Sequence, residues 1–372
     1  MGLTALQANG EGLGAAAVAE YRGATVAARF NDRDTEFARL REHCGVYDLG
    51  YRAKISLTGG DRVRWLNGMV TNNIRDLATG QGAYAFLLNP QGHILGDLYA
   101  YNRGESIVVD TDRRQVEKML ATFDHYIIMD DVEVTNLSDS ITALGIAGPK
   151  ARAVLAAAGV AIPDTNPMQV FEAKCTCDCE CTQCTAVRGE DAGHETYELW
   201  LAPADVRKTW DALVAHGATP VGSEALEIHR IVSGIPMYGV DIRERDLPQE
   251  TEQARALNFN KGCYIGQEIV ERIRSRGAVH RKFTGFLADA DRPLAAGTKV
   301  VVGEKEVGEV TSIASVRVPN GKKTVALGYV RRELGTPGRE VTIGGVNASI
   351  VSLPVPEASL SPDCSAPVAR PA

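Results

Sequence analysis

The sequence predicts an α+β protein that ends in a small antiparallel β-barrel or sandwich. Three observations lead there. Up to about residue 282, apolar positions switch repeatedly between strand-like and helix-like spacing. From about residue 283 only short strands remain, separated by Gly and Pro turns. The length of 372 residues is too great for one small domain and suits two or three.

The elements follow in order. The first 20 residues are rich in Ala and Gly, hold no Lys or Arg, and read as a flexible lead-in. Residues 32–48 read as a helix running into a turn at Cys44-Gly45, and Ala53 to Leu57 as a short strand. Gly59-Gly60-Asp61 opens a helix with Val63, Leu66, Met69 and Val70 at helical spacing. Gly82 to Leu88 and Ile94 to Asn102 are paired strands joined by the turn Asn89-Pro90-Gln91-Gly92, with Pro at its second position. Ser106 to Asp110 is a strand, and 113–124 a helix with Val116, Met119, Leu120 and Phe123 on one face. A second layer runs through a strand at Ile141 to Ile146, a helix at Lys150 to Ala158 and a strand at Leu199 to Ala202. Two helices follow, Asp205 to Ala215 and Ser223 to Ser233, the latter with Ser223 as its cap. The C-terminal strands are Phe283 to Leu287, Lys299 to Val302, Val307 to Ala314, Val325 to Val330 and Val341 to Ile343. Residues 354–372, rich in Pro, Ser and Ala, read as disordered.

Composition excludes several classes. A formal net charge of −7 argues against general nucleic-acid binding, which needs a cationic surface. No apolar run reaches the roughly 18 to 20 residues of a membrane helix. The N-terminus lacks the basic start and apolar core of a secretory signal. The expected compartment is the cytoplasm.

Eight cysteines are unevenly placed: five fall between Cys175 and Cys184, while Cys44, Cys263 and Cys364 are isolated. In a reducing compartment such a cluster reads as metal or redox chemistry before disulfides. On an extended strand Cys175, Cys177, Cys179 and Cys181 share one face, with Cα atoms about 6.6 Å apart at alternate positions. Thiolates around one zinc sit on bonds of roughly 2.3 Å. One zinc or iron site therefore needs a curled loop, or ligands drawn from Cys181 and Cys184 at Cys-x-x-Cys spacing. Incidental thiols on a hairpin tip and reversible disulfides stand as alternatives.

The densest chemistry lies in Lys261-Gly262-Cys263-Tyr264-Ile265-Gly266-Gln267-Glu268. Two glycines allow a sharp turn or a close backbone approach. An ammonium two residues from a thiol favours the thiolate. The alternative is a loop before a helix, with Cys263 as a small buried hydrophobe. This octapeptide resembles the signature of the YgfZ family, folate-binding proteins required for iron–sulfur cluster assembly or repair. Arg272, Arg276-Gly277 and Arg281 extend the resemblance. Much of the chain is also similar to the glycine-cleavage T-protein superfamily. The matching stretches are Gly45 to Leu49, Thr71 to Ile74, Leu87 to Gly92, Ala147 to Ala151, Arg230 to Gly239 and Val307 to Ser312.

The resemblance implies a three-domain ring of the T-protein type with a C-terminal small antiparallel β-barrel and tetrahydrofolate, or a derivative, in a central channel. It implies segments at 1–20 (flexible), 21–282 (folate-binding), 283–353 (barrel) and 354–372 (tail). Tyr84, Asn89, Asp97, Glu198, Arg230 and Tyr238 match positions near the ligand. T-proteins carry two adjacent aspartates after the Asn turn, where this chain has Gly96-Asp97. In that family the first orients and activates the folate; a Gly cannot, so the resemblance implies folate binding without aminomethyl transfer. The five-cysteine segment is not part of the family signature. The run Arg272, Arg274, Arg276, Arg281 and Lys282 reads as a solvated helix face, or as a receptor for a folate polyglutamate tail or an acidic partner.

The reading is a tetrahydrofolate-binding accessory protein whose partners are iron–sulfur enzymes or their assembly factors, with Cys263 as a reactive thiol activated by Lys261. The rivals are a folate-dependent one-carbon transferase and a metal-binding protein centred on Cys175 to Cys184.

Overall fold

The computed structural model describes residues 2–9, 13–174, 183–190, 194–277, 279–288, 294–318 and 321–360. The chain forms two compact units, Met1–Leu226 with Gln253–Arg272, and Glu227–Glu252 with Ile273–Ala372. In chain order it begins with α1 (Ala5–Ala8), β1 (Ala17–Tyr21), β2 (Ala24–Arg29), α2 (Arg33–Glu42), β3 (Gly45–Asp48), β4 (Arg52–Thr58) and α3 (Arg62–Met69). It continues with β5 (Gly82–Leu88), β6 (Ile94–Asn102), β7 (Ile107–Asp112), α4 (Val116–Tyr126), β8 (Glu133–Asn136), β9 (Thr142–Ala147) and α5 (Ala151–Ala157). Next come β10 (Val170–Lys174), β11 (Gln183–Arg188), β12 (Thr196–Leu201), α6 (Val206–Ala215), β13 (Thr219–Pro220), α7 (Ser223–Val232) and α8 (Gln267–Arg276). The last elements are β14 (Arg281–Ala288), β15 (Lys299–Val302), β16 (Lys305–Val318), β17 (Gly321–Arg331), β18 (Glu340–Ile343), β19 (Val346–Val351) and α9 (Glu357–Leu360).

The first unit carries a five-stranded antiparallel sheet ordered β5-β6-β7-β4-β8 and a six-stranded sheet ordered β10-β11-β12-β9-β3-β13. Alternation decides which side chains face which layer. Along β6, Gly96, Leu98 and Ala100 are buried, while Asp97 and Tyr99 are half-buried on the other face. Leu98 and Ala100 pack with Trp65, Leu66 and Met69 of α3 and with Val116, Met119 and Phe123 of α4. Along β12, Tyr197, Leu199 and Leu201 join a core with α5 and α6, and Trp200 joins a second core with Tyr47, Tyr99 and Tyr101.

The second unit contains a closed barrel ordered β14-β17-β16-β15-β18-β19. Phe286, Val300, Val310, Val330, Ile343 and Ile350 fill it. The barrel alternative is therefore the one the chain adopts. Among the described residues no helix is long and apolar enough to cross a membrane.

Several elements differ from the sequence expectation. The lead-in contains α1 and β1, and Leu6 is fully buried. Thr4 donates its hydroxyl to Asp48, and the Gly50 N–H donates to Asp48 Oδ1 at 2.7 Å. Burial pushes the Asp48 carboxyl up to about 6, against those two hydrogen bonds. Residues 45–48 form a strand, not a turn, because Gly45 to Asp48 pair along β9. Val70 leaves α3 in an extended conformation. Residues 357–360 form a short helix, whereas the tail beyond Leu360 lies outside the described residues.

Candidate functional site

The site is built on the face of β6 turned away from α3 and α4. Asp97, Tyr99 and Tyr101 stand at alternate positions and point the same way. Tyr84, on β5, packs its ring 4.9 Å from Tyr99, and Tyr99 stacks on Tyr101 at 6.4 Å. Tyr101 in turn meets Trp200 of β12 edge-to-face at 5.5 Å. An aromatic wall thus runs across both sheets of the first unit. It has a carboxyl group at each end. The Tyr84 hydroxyl donates to Asp97 Oδ2 at 2.8 Å, and Trp200 Nε1 donates to Glu198 Oε2 at 3.0 Å.

Beside the wall lies a buried ion network set by strand register. Arg52 stands opposite Asp112 and Lys54 opposite Asp110, across β4 and β7. Arg52 holds Asp110 at 2.9 Å and Asp112 at 3.1 Å, and Lys54 holds Asp110 at 2.8 Å. Arg22 adds a contact to Asp112 at 3.3 Å. Lys54 Nζ also sits 4.8 Å from the Trp200 ring centre. These cations hold Asp110 and Asp112 below the usual carboxylate range, against the effect of their burial. Asp97 and Glu198 shift the other way. Burial, reinforced by Asp112, raises the Asp97 carboxyl; burial, reinforced by Asp110, raises that of Glu198. The unit therefore holds carboxyls shifted down beside the wall and carboxyls shifted up at its ends.

Arg255 covers one end. Its guanidinium lies 4.2 Å from the Tyr84 ring centre and is ion-paired with Glu190. The Tyr99 hydroxyl reaches the same Glu190 at 3.3 Å.

The signature segment has a different job from the one its composition suggests. Lys261 is 6% exposed, and its Nζ donates to the carbonyls of Asn67 at 2.5 Å, Val70 at 2.6 Å and Asn72 at 2.7 Å. All three ammonium protons are thereby used on the last turn of α3 and the chain beyond it. Burial, with Arg75 adding to it, pushes the ammonium down to about 7. No hydrogen bond joins Lys261 to Cys263, so activation of the thiol by Lys261 is corrected: the ammonium is an anchor. Cys263 itself is exposed, which also corrects the buried-hydrophobe alternative. Gly262 is exposed beside it. Tyr264 is buried, with Lys261 Nζ 4.9 Å from its ring centre, and its N–H donates to Gln267 Oε1 at 3.2 Å. Glu268 lies exposed in the first turn of α8.

Two further contacts fix this segment. Thr71 Oγ1 donates to the Ala256 carbonyl at 2.6 Å, and Asn72 Nδ2 to the Arg255 carbonyl at 2.8 Å. Gly266, at φ +80°, lies so close to the β5–β6 turn that a Cβ there would sit 2.5 Å from the Asn89 carbonyl oxygen. Gly92 in that turn would bring a Cβ within 2.8 Å of Ile269. The anchor and the glycine contact hold the backbone that presents Arg255 to the wall.

The structure brings together Tyr84, Asp97 and Glu198 through the wall but does not bring Asn89 to it as a ligand group. Asn89 closes the β5–β6 turn, its Oδ1 accepting from the His93 N–H at 2.9 Å. Arg230 and Tyr238 belong to the second unit. Arg230 spends its donors within that unit, on Asp241 at 2.6 Å, the Ile235 carbonyl at 2.7 Å, Ser312 Oγ at 2.8 Å and Glu227. Its expected place near the ligand is therefore corrected: these donors are spent on structure. Tyr238 is half-buried and bridges to Ile242. In the basic run, Arg281 pairs with Asp246 and Glu250, and Lys282 with Glu252. Of the cysteine cluster, Cys175, Cys177, Cys179 and Cys181 lie outside the described residues. Cys184 is buried in β11, packed with Ala173, Ala186 and Tyr197, which corrects its reading as an accessible ligand. Among the described residues no group of His, Cys, Asp and Glu is arranged to hold a metal.

Gly96 needs the most important correction. Its side of the strand faces Met119 and Gln115, where a Cβ would meet Met119 Cε at 3.7 Å. A side chain there points into the helix layer, away from the wall. Asp97 is the residue on the wall. The glycine at 96 therefore gives no reason to discount chemistry at this face.

Sequence reasoning missed Arg52, Lys54, Tyr99, Tyr101, Asp110, Asp112, Gln115, Glu190, Trp200 and Arg255. A signal existed for some of them. Arg52/Lys54 and Asp110/Asp112 are charges at alternate positions in strand-like runs, and such charges need partners on the same face.

Residues 9–261 match the family described as the GCVT N-terminal domain, and residues 281–355 match the glycine cleavage T-protein C-terminal barrel domain. The chain belongs to the glycine cleavage T-protein family. It is similar to the aminomethyltransferase of Rubrobacter xylanophilus, at 28% identity over 92% of this chain and 88% of that protein. It is similar to that of Lysinibacillus sphaericus, at 25% identity over 91% and 92% respectively. The glycine cleavage system aminomethyltransferase T of Bartonella henselae shares its fold, with a TM-score of 0.84 at 23% identity over 96% of this chain and 98% of that one.

Proposed function

We propose that the chain binds tetrahydrofolate or a derivative along the wall from Asp97 to Glu198 and acts in one-carbon transfer. The observation that carries this reading is the placement of a half-buried carboxyl, shifted up by burial, at each end of a row of aromatic rings. Tyr84, Tyr101 and Trp200 are themselves buried, so a planar heterocycle suits the half-buried Tyr99 ring, and its ring N–H donors suit Glu198. When bound, the folate supplies the amine nitrogens that carry a one-carbon unit. Asp97 is the residue placed to hold or release a proton beside them. Arg255 and the Tyr84 ring exclude water from that end. The aminomethyltransferases similar to this chain support the same class of chemistry. Calorimetric titration with tetrahydrofolate, repeated on Asp97→Asn and Glu198→Gln, tests the reading. Binding is expected for the parent and should weaken in Glu198→Gln. A parent protein that binds no folate removes the premise.

A second reading has its own observation. Cys263 is exposed on the Lys261–Glu268 segment that resembles the YgfZ signature. In that reading the folate-loaded protein supports iron–sulfur enzymes, and the thiol contacts the partner or its cluster. Complementation of a null strain separates the two. If Cys263→Ser fully restores a cluster-dependent enzyme, this role for the thiol fails. If Asp97→Asn restores it too, the support does not pass through one-carbon chemistry.

A further inference from the structure

Asp97 sits where a ladder ends. Strands β6 and β7 pair from Tyr99 opposite Asp110 to Asn102 opposite Ile107, and the pairing stops short of Asp97. The N–H of Asp97 therefore has no carbonyl from β7. Gln115, from the turn ahead of α4, takes its place: its Oε1 accepts from the Asp97 N–H at 3.0 Å. The same amide turns its Nε2 to Asp97 Oδ1 at 2.7 Å. Thr111 Oγ1 donates to the Asp97 carbonyl at 2.8 Å. Gln115 is 4% exposed. Each carboxyl oxygen of Asp97 then has one neutral donor, Gln115 on Oδ1 and Tyr84 on Oδ2. Both of its backbone groups are held as well.

Gly96 is the condition for this arrangement. A Cβ at position 96 would sit 2.8 Å from Gln115 Oε1, closer than real Cβ contacts. The clash is with the far end of a flexible side chain, not with backbone. A larger residue at 96 is therefore compatible with the strand but incompatible with the amide in this position.

We infer that Gln115 is a positioning residue for Asp97 and that Gly96 and Gln115 form a matched pair, the missing side chain at 96 making room for the amide that fixes the carboxyl at 97. The inference rests on the reading of Asp97 as the proton-handling group of the site. The amide works by geometry first. It holds the carboxyl in one rotamer, with Oδ1 on Gln115 and Oδ2 on Tyr84. It also favours the ionised form by donating to it, as Tyr84 does, against burial and the nearby Asp112. Arg52 from β4 favours ionisation too, and Arg255 faces the same group.

The test is a ¹³C-carboxyl NMR titration of the full chain, with the Asp97 signal assigned by its loss in Asp97→Asn. Gln115→Met and Gly96→Ala should each raise the Asp97 midpoint by about half a pH unit or more, the scale of one lost hydrogen bond to a carboxylate. The double variant should move it no further than one single variant, because both remove the same contact. A Gly96→Ala midpoint equal to the parent's, or a double variant in which the two shifts add, overturns the pairing. Gly96→Ala keeps the test available should Gln115→Met fail to fold. Tyr84→Phe, which removes the other donor, should shift the midpoint independently and add to either. Calorimetry separates this inference from the ligand reading. If the midpoints move as stated while Asp97→Asn binds and turns over folate like the parent, the positioning stands and the catalytic reading of Asp97 falls.

Discussion

Asp97 and Lys261 are charged groups of the same unit, set in surroundings that use them in opposite ways. Lys261 spends every donor on backbone carbonyls and has nothing left for a ligand. Asp97 accepts one hydrogen bond on each oxygen and is displaced toward its neutral form by burial. A group that is saturated holds structure, and one held in place with capacity to spare can do chemistry. By the same standard Arg230 is architecture in the second unit, and Glu198 belongs with Asp97. The difference cannot be read from residue type. It follows from how many partners the fold brings.

The largest expected effect breaks the anchor. Lys261→Met leaves three carbonyls without their donor and should cost about 3–5 kcal/mol in denaturant unfolding. A loss below about 1 kcal/mol would show that the ammonium is not holding them. Asp97→Asn should do the reverse, lowering turnover with a folate substrate by about 100-fold or more while changing stability by less than about 1 kcal/mol. Equal damage to stability and turnover would erase the contrast.

Asp48 sharpens the comparison through pH. Its folded carboxyl titrates at about 6, above the ordinary value of 3.8, so folding favours the protonated form. Its contribution to stability is fully present below 3.8 and is lost as pH rises toward 6. Asp48→Asn should therefore flatten the stability profile across that window by about 2–3 kcal/mol at most. An unchanged slope would place the titration elsewhere. The smallest effect is reserved for Cys263→Ser, which should alter stability by less than about 0.5 kcal/mol, because the side chain is exposed. A larger loss would make the thiol part of the anchor.

Much of the fold was legible because apolar periodicity is a local property. The β5–β6 hairpin, the amphipathic α4 and five of the six barrel strands announce themselves, whereas β19 was missed. The hairpin of β1 and β2 does not, because its alanines and glycines carry little contrast between faces. The site was half legible. Asp97, Glu198 and Tyr84 were singled out by resemblance. The wall that joins them was not, since it depends on which face of β6 meets which face of β12. The same register decides between Gly96 and Asp97: two neighbours in sequence lie on opposite sides of a sheet. Arg255 and Gln115 were invisible for a related reason. Each acts from a short turn with no periodicity of its own.

The contact between Gly92 and Gly266 has a practical consequence for anyone labelling this protein. Backbone meets backbone there with no room for a Cβ, so a reporter peptide inserted in the Asn89–Gly92 turn would pry the signature segment from its seat and carry Arg255 with it. The turn between β15 and β16 is the better address. Gly303 and Glu304 are exposed, and nothing lies within 4 Å of the position a Cβ would take at Gly303. A fluorophore or affinity handle placed there displaces no backbone at its own site.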